Sequence, residues 1–269
     1  MLRDLMALIR SYAAQSFIRQ SREALYHPGY PFCSYLGINY AGDRLINAKF
    51  YVTGFRQVPA SHFSGFFPCS DAILDAYATY RDSRVYTPDS MGFVLVKKLA
   101  LTEPPMYTFG MRMPGDLNPA IDQPGLEHED KVVDDYLAIE ASGQKRYRKH
   151  YYILKQRRNI ETLLQRFAME TRPDAVNLLE YSTFQHRKKI LAAMTSVDET
   201  EGYLARTGSP AFLAMHAWVT RELGLIPVSP GRYLGSDVRS IHYFEPGEGV
   251  YFRDSFALDR LLEKLAADA

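Results

Sequence analysis

The 269-residue chain has two cysteines, Cys33 and Cys69, and a single tryptophan. Two cysteines without metal-ligand spacing make neither a disulfide framework nor a zinc site, so they read as reduced thiols in a cytoplasmic protein. Long apolar runs are missing too. The N-terminal stretch MLRDLMALIRSYAAQSF is broken by Arg3, Asp4 and Arg10. It is too polar for a membrane span and lacks the apolar block of a signal peptide. Excess charge of one sign is also absent: the formal net charge is +1, so the surface as a whole is no nucleic-acid trap. There is no internal repeat, no Gly-x-Ser-x-Gly and no Walker motif. The seven histidines are scattered, with no pair at metal spacing. Glu127-His128-Glu129-Asp130 with Asp134-Asp135 reads as a charged helix start and lacks the Asp-Asp-x-x-Asp spacing of metal-dependent isoprenoid synthases. No metal site is expected.

What the chain has is tyrosine, 19 of them within a hydrophobic content of 46%. Each supplies an apolar ring with a polar tip. The clearest pattern lies between Asp43 and Gln57. Ile46, Ala48, Phe50 and Val52 alternate there with Asn47, Lys49, Tyr51 and Thr53. Strict period two predicts a strand with one apolar and one polar face. Lys49 and Tyr51 share the polar face, where a cation can hold an anion and a ring can cover an apolar tail. A solvated outer face is the plainer reading. Similar pairs recur as Lys149 with Tyr151 and, in reverse, as Tyr251 with Arg253.

Taken in order, the pattern predicts a helix over 2–23, stopped at His27-Pro28-Gly29-Tyr30-Pro31. A hairpin over 32–57 turns at Ala41-Gly42-Asp43, and a helix capped by Ser70 or Asp71 runs to about Arg81. Strands follow at 91–101 and 106–113, then a loop from Pro114 to Gly125. The stretch 126–141 looks helical; 144–155 fits a strand or a further helix, with its clustered Tyr and Ile favouring a strand through Leu154; and 159–170 reads as a helix capped by Asn159. A hairpin spans 175–194. A helix over 209–223, capped by Ser209 with Pro210 at its first position, leads to a loop at 227–235. A last hairpin over 238–253 and a closing helix over 255–267 complete the chain. This is a helix-strand-strand unit repeated about five times, with the third unit ill-defined. Such an order predicts an α+β fold in one domain, 1–269: an antiparallel β-barrel of about ten strands ringed by helices, polar faces inward.

That element order, with its Lys-x-Tyr strands, resembles the aromatic prenyltransferases of the ABBA type, whether soluble bacterial, fungal indole or cyanobactin peptide enzymes. The resemblance implies transfer of an allylic prenyl group from its diphosphate to an aromatic small molecule or peptide side chain. It names no certain cofactor and leaves Mg2+ open. Carried onto this sequence, it implies that Lys49, Arg112, Lys149, Lys189 and Arg253 hold the diphosphate. Tyr51, Tyr151 and Tyr251 would shield the prenyl cation. Glu180, inside a strand, is the candidate base.

Two other readings compete. One is a non-catalytic barrel for an amphipathic anion. The other is RNA binding through the basic, tyrosine-bearing run KRYRKHYYILKQRR at 145–158. The RNA reading makes a direct prediction. Neutralising Lys145, Arg146, Arg148 and Lys149 together should abolish salt-sensitive retention on single strands. Absence of retention by the native protein at low salt removes that reading.

Overall fold

The computed structural model describes residues 1–26, 28, 32–55, 91–103, 106–113, 132–140, 146–184, 187–247 and 255–267. The predicted helix near 70–81, Cys69, and both Tyr251 and Arg253 lie outside them.

The N-terminal helix is two helices. α1 (Leu2–Arg10) and α2 (Tyr12–Leu25) are separated by Ser11, whose backbone is extended at φ −62°, ψ 144°. The Ser11 hydroxyl donates to the Leu8 carbonyl (2.6 Å) and accepts from the Ala14 amide (3.2 Å), ending one helix and capping the next. Periodicity alone ran through this break because both helices bury faces of the same spacing, Leu5, Leu8 and Ile9 in one and Ala14, Phe17 and Ile18 in the other.

β1 (Phe32–Ala41) and β2 (Arg44–Phe55) form the predicted hairpin. Gly42 carries the positive φ of 52° that a two-residue turn requires of its first central residue. β3 (Met91–Leu99), β4 (Met106–Met113) and β6 (Arg146–Leu154) fall where the pattern put them. The helix expected over 126–141 is corrected. Val132–Glu140 is a strand, β5, paired antiparallel with β4 and with β6. Its Leu, Ala and Glu content favours a helix, but two waiting strand edges outweigh so weak a preference.

α3 (Arg157–Arg166) starts two residues before the predicted cap. Gln156 is its N-cap without a side-chain bond, and Asn159 is buried in its first turn. A short 3-10 turn leads into β7 (Val176–Phe184) and β8 (Arg187–Met194). The pattern missed α4 (Val197–Thr207), although its start is legible: Ser196 accepts from the Glu199 amide at 3.1 Å, with Asp198 and Glu199 in the first turn. α5 (Pro210–Glu222) is capped by Ser209 as expected, through the Phe212 amide at 3.2 Å.

The loop expected at 227–235 is also corrected. Ile226–Tyr233 is a strand, β9, despite Pro227 and Pro230. It pairs with β10 (Arg239–Phe244) across a register shift opposite Ile241, where Ser229 has φ 54°. A bulge is where a strand accommodates proline. The last hairpin is therefore β9–β10, and the 250–253 half of the predicted one is outside the described residues. β11 (Ser255–Phe256) adds a short parallel pairing to β1 before α6 (Ala257–Ala267).

The strands form one large antiparallel sheet in which each neighbours the next in sequence from β1 to β10. β1 also pairs antiparallel with β10 over Leu36–Tyr40, so it has β2 on one side and β10 on the other. Six helices are described, and a hydrophobic cluster lies between them and the sheet. Leu36, Ile38, Ala48, Phe50, Val52 and Tyr243 supply its strand side, and Leu5, Phe17, Leu204, Phe212 and Leu261 its helix side. One buried polar cluster in this seam is closed: His216 reaches Tyr243 Oη at 2.9 Å and Glu201 Oε2 at 2.7 Å. No described helix is long and apolar enough to cross a membrane.

Phe50, at 0% exposure, is central to that seam. Phe50→Ala is expected to cost about 3–5 kcal/mol. Urea denaturation checks this; a loss under 1 kcal/mol would show that the strand's apolar face is not its packing face.

Candidate functional site

The other side of the sheet is built by strand parity. Across β1 and β2 the pairs Tyr35–Tyr51, Gly37–Lys49 and Asn39–Asn47 share one face, and Leu36–Phe50 and Ile38–Ala48 share the other. The predicted split of β2 into apolar and polar faces therefore holds from Asn47 to Thr53; at Ile46 the register shifts, and Leu45 takes the buried place expected of Ile46. Asn39 Nδ2 donates to Asn47 Oδ1 at 3.1 Å, tying the two strands on the polar face.

Following register from strand to strand locates the other candidates. Lys49 opposes Lys98 on β3, Lys98 opposes Met106 on β4, and residue 112 lies at the same parity, opposite Tyr136 on β5. Positions 149 and 151 of β6 continue that parity, with 149 opposite Tyr136 and 151 opposite Ser182. On β7 and β8 the polar face carries Ser182 and Glu180, paired with Lys189 and Leu191. This resolves the basic triplet: Lys189 faces the polar side and Lys188 the helices. Lys49, Arg112, Lys149, Lys189, Tyr51, Tyr151 and Glu180 thus all occupy positions of one parity.

Five strands, β1, β2, β8, β9 and β10, bring side chains into ring and cation contacts on this face. The Tyr35 and Tyr51 rings stack at 4.4 Å and 5°, and Phe244 stacks on Tyr35 at 4.4 Å and 14°. His242 stands edge-on to both tyrosines, at 5.6 Å and 71° to Tyr35 and 5.5 Å and 74° to Tyr51. Lys189 Nζ lies 5.4 Å from the centre of the Tyr233 ring. The stack needs Gly37. A Cβ there would meet Tyr51 Cε2 at 2.6 Å and His242 Cδ2 at 3.1 Å.

Electrostatics link these groups across non-neighbouring strands. Burial raises the Tyr51 phenol above its ordinary pKa; the charge and hydrogen bond of Lys49 oppose this, and Tyr233 and Glu180 push it further up. Tyr51 therefore stays a neutral phenol with an intact π face. His242 is held well below the usual imidazole range by burial, then by Lys189 and Lys49. β2 and β8 are not adjacent, yet their lysines act on the same imidazole. The site can accordingly offer two ammonium groups, a wall of ring faces and, nearby, a carboxylate on β7.

Sequence reading missed Tyr35, Tyr233, His242 and Phe244. The parity of 238–244 carried a signal, since Ile241 and Tyr243 alternate with Ser240, His242 and Phe244, but it needs a partner strand to show which set faces the site. Lys97 was also missed. It lies on the helix side, opposite Phe50, is 3% exposed, and burial lowers its pKa to about 8. Among the described residues no group of three His, Cys, Asp or Glu is gathered as a metal site.

Gly37→Ala tests the packing of this face. It should destabilise by about 1–3 kcal/mol and alter the near-ultraviolet circular dichroism of the tyrosine stack. Gly202→Ala on α4, where an added Cβ meets only Arg206 Nη1 at 3.4 Å, is the control and should be neutral or stabilising by about 0.5–1 kcal/mol. Equal effects in the two variants would remove the close-approach role of Gly37.

Against known proteins, no family model matches the chain, and no curated protein matches it by sequence. Solved structures do match. A 6-dimethylallyl tryptophan synthase superposes with a TM-score of 0.52 at 11% identity, covering 91% of this chain and 98% of its own. A 6-dimethylallyltryptophan synthase from Micromonospora olivasterospora, in complex with DMASPP and Trp, gives 0.47 at 14% identity over 84% of each chain. The resemblance read from element order is borne out at the level of fold: the chain shares the fold of the ABBA-type aromatic prenyltransferases.

Proposed function

We propose that this chain, with that fold, is a prenyltransferase that moves an allylic group from its diphosphate to an aromatic acceptor. The observation that carries the reading is the convergence of Lys49 from β2 and Lys189 from β8 on one imidazole beside the Tyr35–Tyr51–Phe244 stack. Two cations and a wall of rings match the two halves of an allylic diphosphate. We read the pairing of β1 with both β2 and β10 as closing the sheet into a barrel in a single domain, with the polar face lining its lumen.

In this mechanism the carbon–oxygen bond breaks with its electron pair leaving on the diphosphate. The charge that grows there is held by Lys49 and Lys189, joined by Arg112, Lys149 and Arg253. The allylic cation is shielded by the ring faces of Tyr51, Tyr35, Tyr151 and Tyr251, which keep water away. An aromatic carbon or nitrogen of the acceptor attacks, and Glu180 takes the proton released as aromaticity is restored. The name of the first structural neighbour makes dimethylallyl diphosphate with tryptophan the first pair to test, ahead of phenols and Tyr- or Trp-containing peptides.

Lys49→Ala and Lys189→Ala should each weaken binding of dimethylallyl diphosphate by about 10–100-fold, the loss of a charge-assisted contact, with the fold retained. Calorimetry with and without Mg2+ measures this, and unchanged affinity in both variants removes the anion site. In the working enzyme, Tyr51→Ala should raise the share of prenyl alcohol over prenylated product in mass spectrometry, because water reaches the cation. Retained binding with no product across the acceptor panel would make the chain a binder of amphipathic anions instead.

A further inference from the structure

His242 has an unusual position. β10 places it opposite Gly37 on β1 and opposite Val228 on β9. On the first side, the missing Cβ of Gly37 leaves room for the ring. On the second, the register shift of β9 at Ser229 and Pro230, with Ser229 at φ 54°, lies directly next to it. Bulges and left-handed residues of this kind commonly re-aim a side chain at a site. The result is an imidazole lying beside the stacked pair of Tyr35 and Tyr51, nearly perpendicular to both rings, with no hydrogen bond to either ring nitrogen among the described residues.

The groups around it come from several strands. β1 offers the Tyr35 phenol, β2 the Tyr51 phenol and the Lys49 ammonium, and β8 the Lys189 ammonium. Tyr233 on β9 lies under Lys189, and Glu180 on β7 acts on Tyr51. The charges acting on the imidazole among the described residues are the two ammonium groups. In the empty protein a third positive charge is thus unwelcome. An anion between the lysines reverses that balance. It offsets both ammonium charges and presents acceptor oxygens to a ring nitrogen that has none among the described residues.

We propose that His242 is the proton-carrying third member of the anion site: neutral in the empty protein, it takes up a proton when a diphosphate lies between Lys49 and Lys189. This rests on the anion site assigned above to those two lysines. The proton comes from solvent and no bond to carbon is involved. By linkage, the anion favours the imidazolium as strongly as the imidazolium favours the anion. The imidazolium N–H then faces the departing group as its charge grows, while the empty site carries one cation fewer and is easier to hold dry.

The test is calorimetry of inorganic pyrophosphate binding to the whole protein in buffers of different ionisation heat, native against His242→Gln. Pyrophosphate and the lysines exchange protons in both proteins, so the difference isolates His242. The native protein should take up about 0.5 to 1 more proton per pyrophosphate than the variant near pH 7, and its affinity should gain on the variant's by up to about tenfold per unit fall in pH. Equal proton uptake with retained binding overturns the role of His242 and leaves the anion site standing. Absence of pyrophosphate binding by the native protein overturns both. Should the variant fail to fold, carbon-labelled histidine in the native protein gives the answer by nuclear magnetic resonance. The ring in contact with Tyr35 and Tyr51 should titrate at higher pH with pyrophosphate than without, and an unmoved titration overturns the proposal.

Discussion

The architecture depends on one constraint: side-chain parity must survive every strand pairing from β1 to β10 and the pairing of β10 back to β1. A one-residue slip anywhere would exchange faces for the strands beyond it. Lys49 and Tyr51 would then enter the hydrophobic seam, and Phe50 and Val52 would leave it. Burial of Ala48, Phe50 and Val52 at 0% exposure makes that slip costly on β2. The Asn39–Asn47 bond adds a directional restraint on the opposite face. Register shifts do occur, between Asn39 and Tyr40 on β1 and between Ser240 and His242 on β10, yet the pairs on either side of them keep their faces.

The two faces handle polar atoms differently. On the helix side, two polar clusters are closed locally. Arg239 grips Glu170 with two nitrogens, at 3.0 and 3.1 Å, and donates to Tyr203 Oη at 2.9 Å. His216 bridges Tyr243 and Glu201 across α4, α5 and β10. Such closed networks leave little capacity for a ligand. On the polar side, ammonium groups of two strands act on one uncharged imidazole, and that of Lys49 acts also on an uncharged phenol. Charge of one sign gathered without full compensation is a feature of anion sites more than of packing.

Tyrosine content connects these observations. On the helix side Tyr40 stacks on Phe212 at 4.0 Å and Tyr243 reaches His216 with its hydroxyl, both serving as large core residues. On the other side Tyr35 and Tyr51 present ring faces to each other and edges to His242. The same residue type serves both, because an apolar ring with a polar tip fits either a seam that ends in a hydrogen bond or a stack of rings on a polar face.

The period-two pattern of β2 is local, and it was legible: Asn47 to Thr53 determined a strand, its two faces and the pairing of Lys49 with Tyr51. The Gly42 turn and the Ser209 cap were legible for the same reason, since each acts within a few residues of itself. Val132–Glu140 was not, because its helix-leaning composition is overruled by β4 and β6, which lie elsewhere in sequence. Nor was Ile226–Tyr233, where two prolines signal a loop until a bulge opposite Ile241 accommodates them. The sequence by itself determined which residues alternate, and so which cations and rings were available. Only the tertiary structure decided which of them meet. The meeting of Lys49, Lys189 and His242 depends on register carried through many pairings, and on a missing Cβ at Gly37 whose effect appears only when β2 and β10 lie on either side of β1.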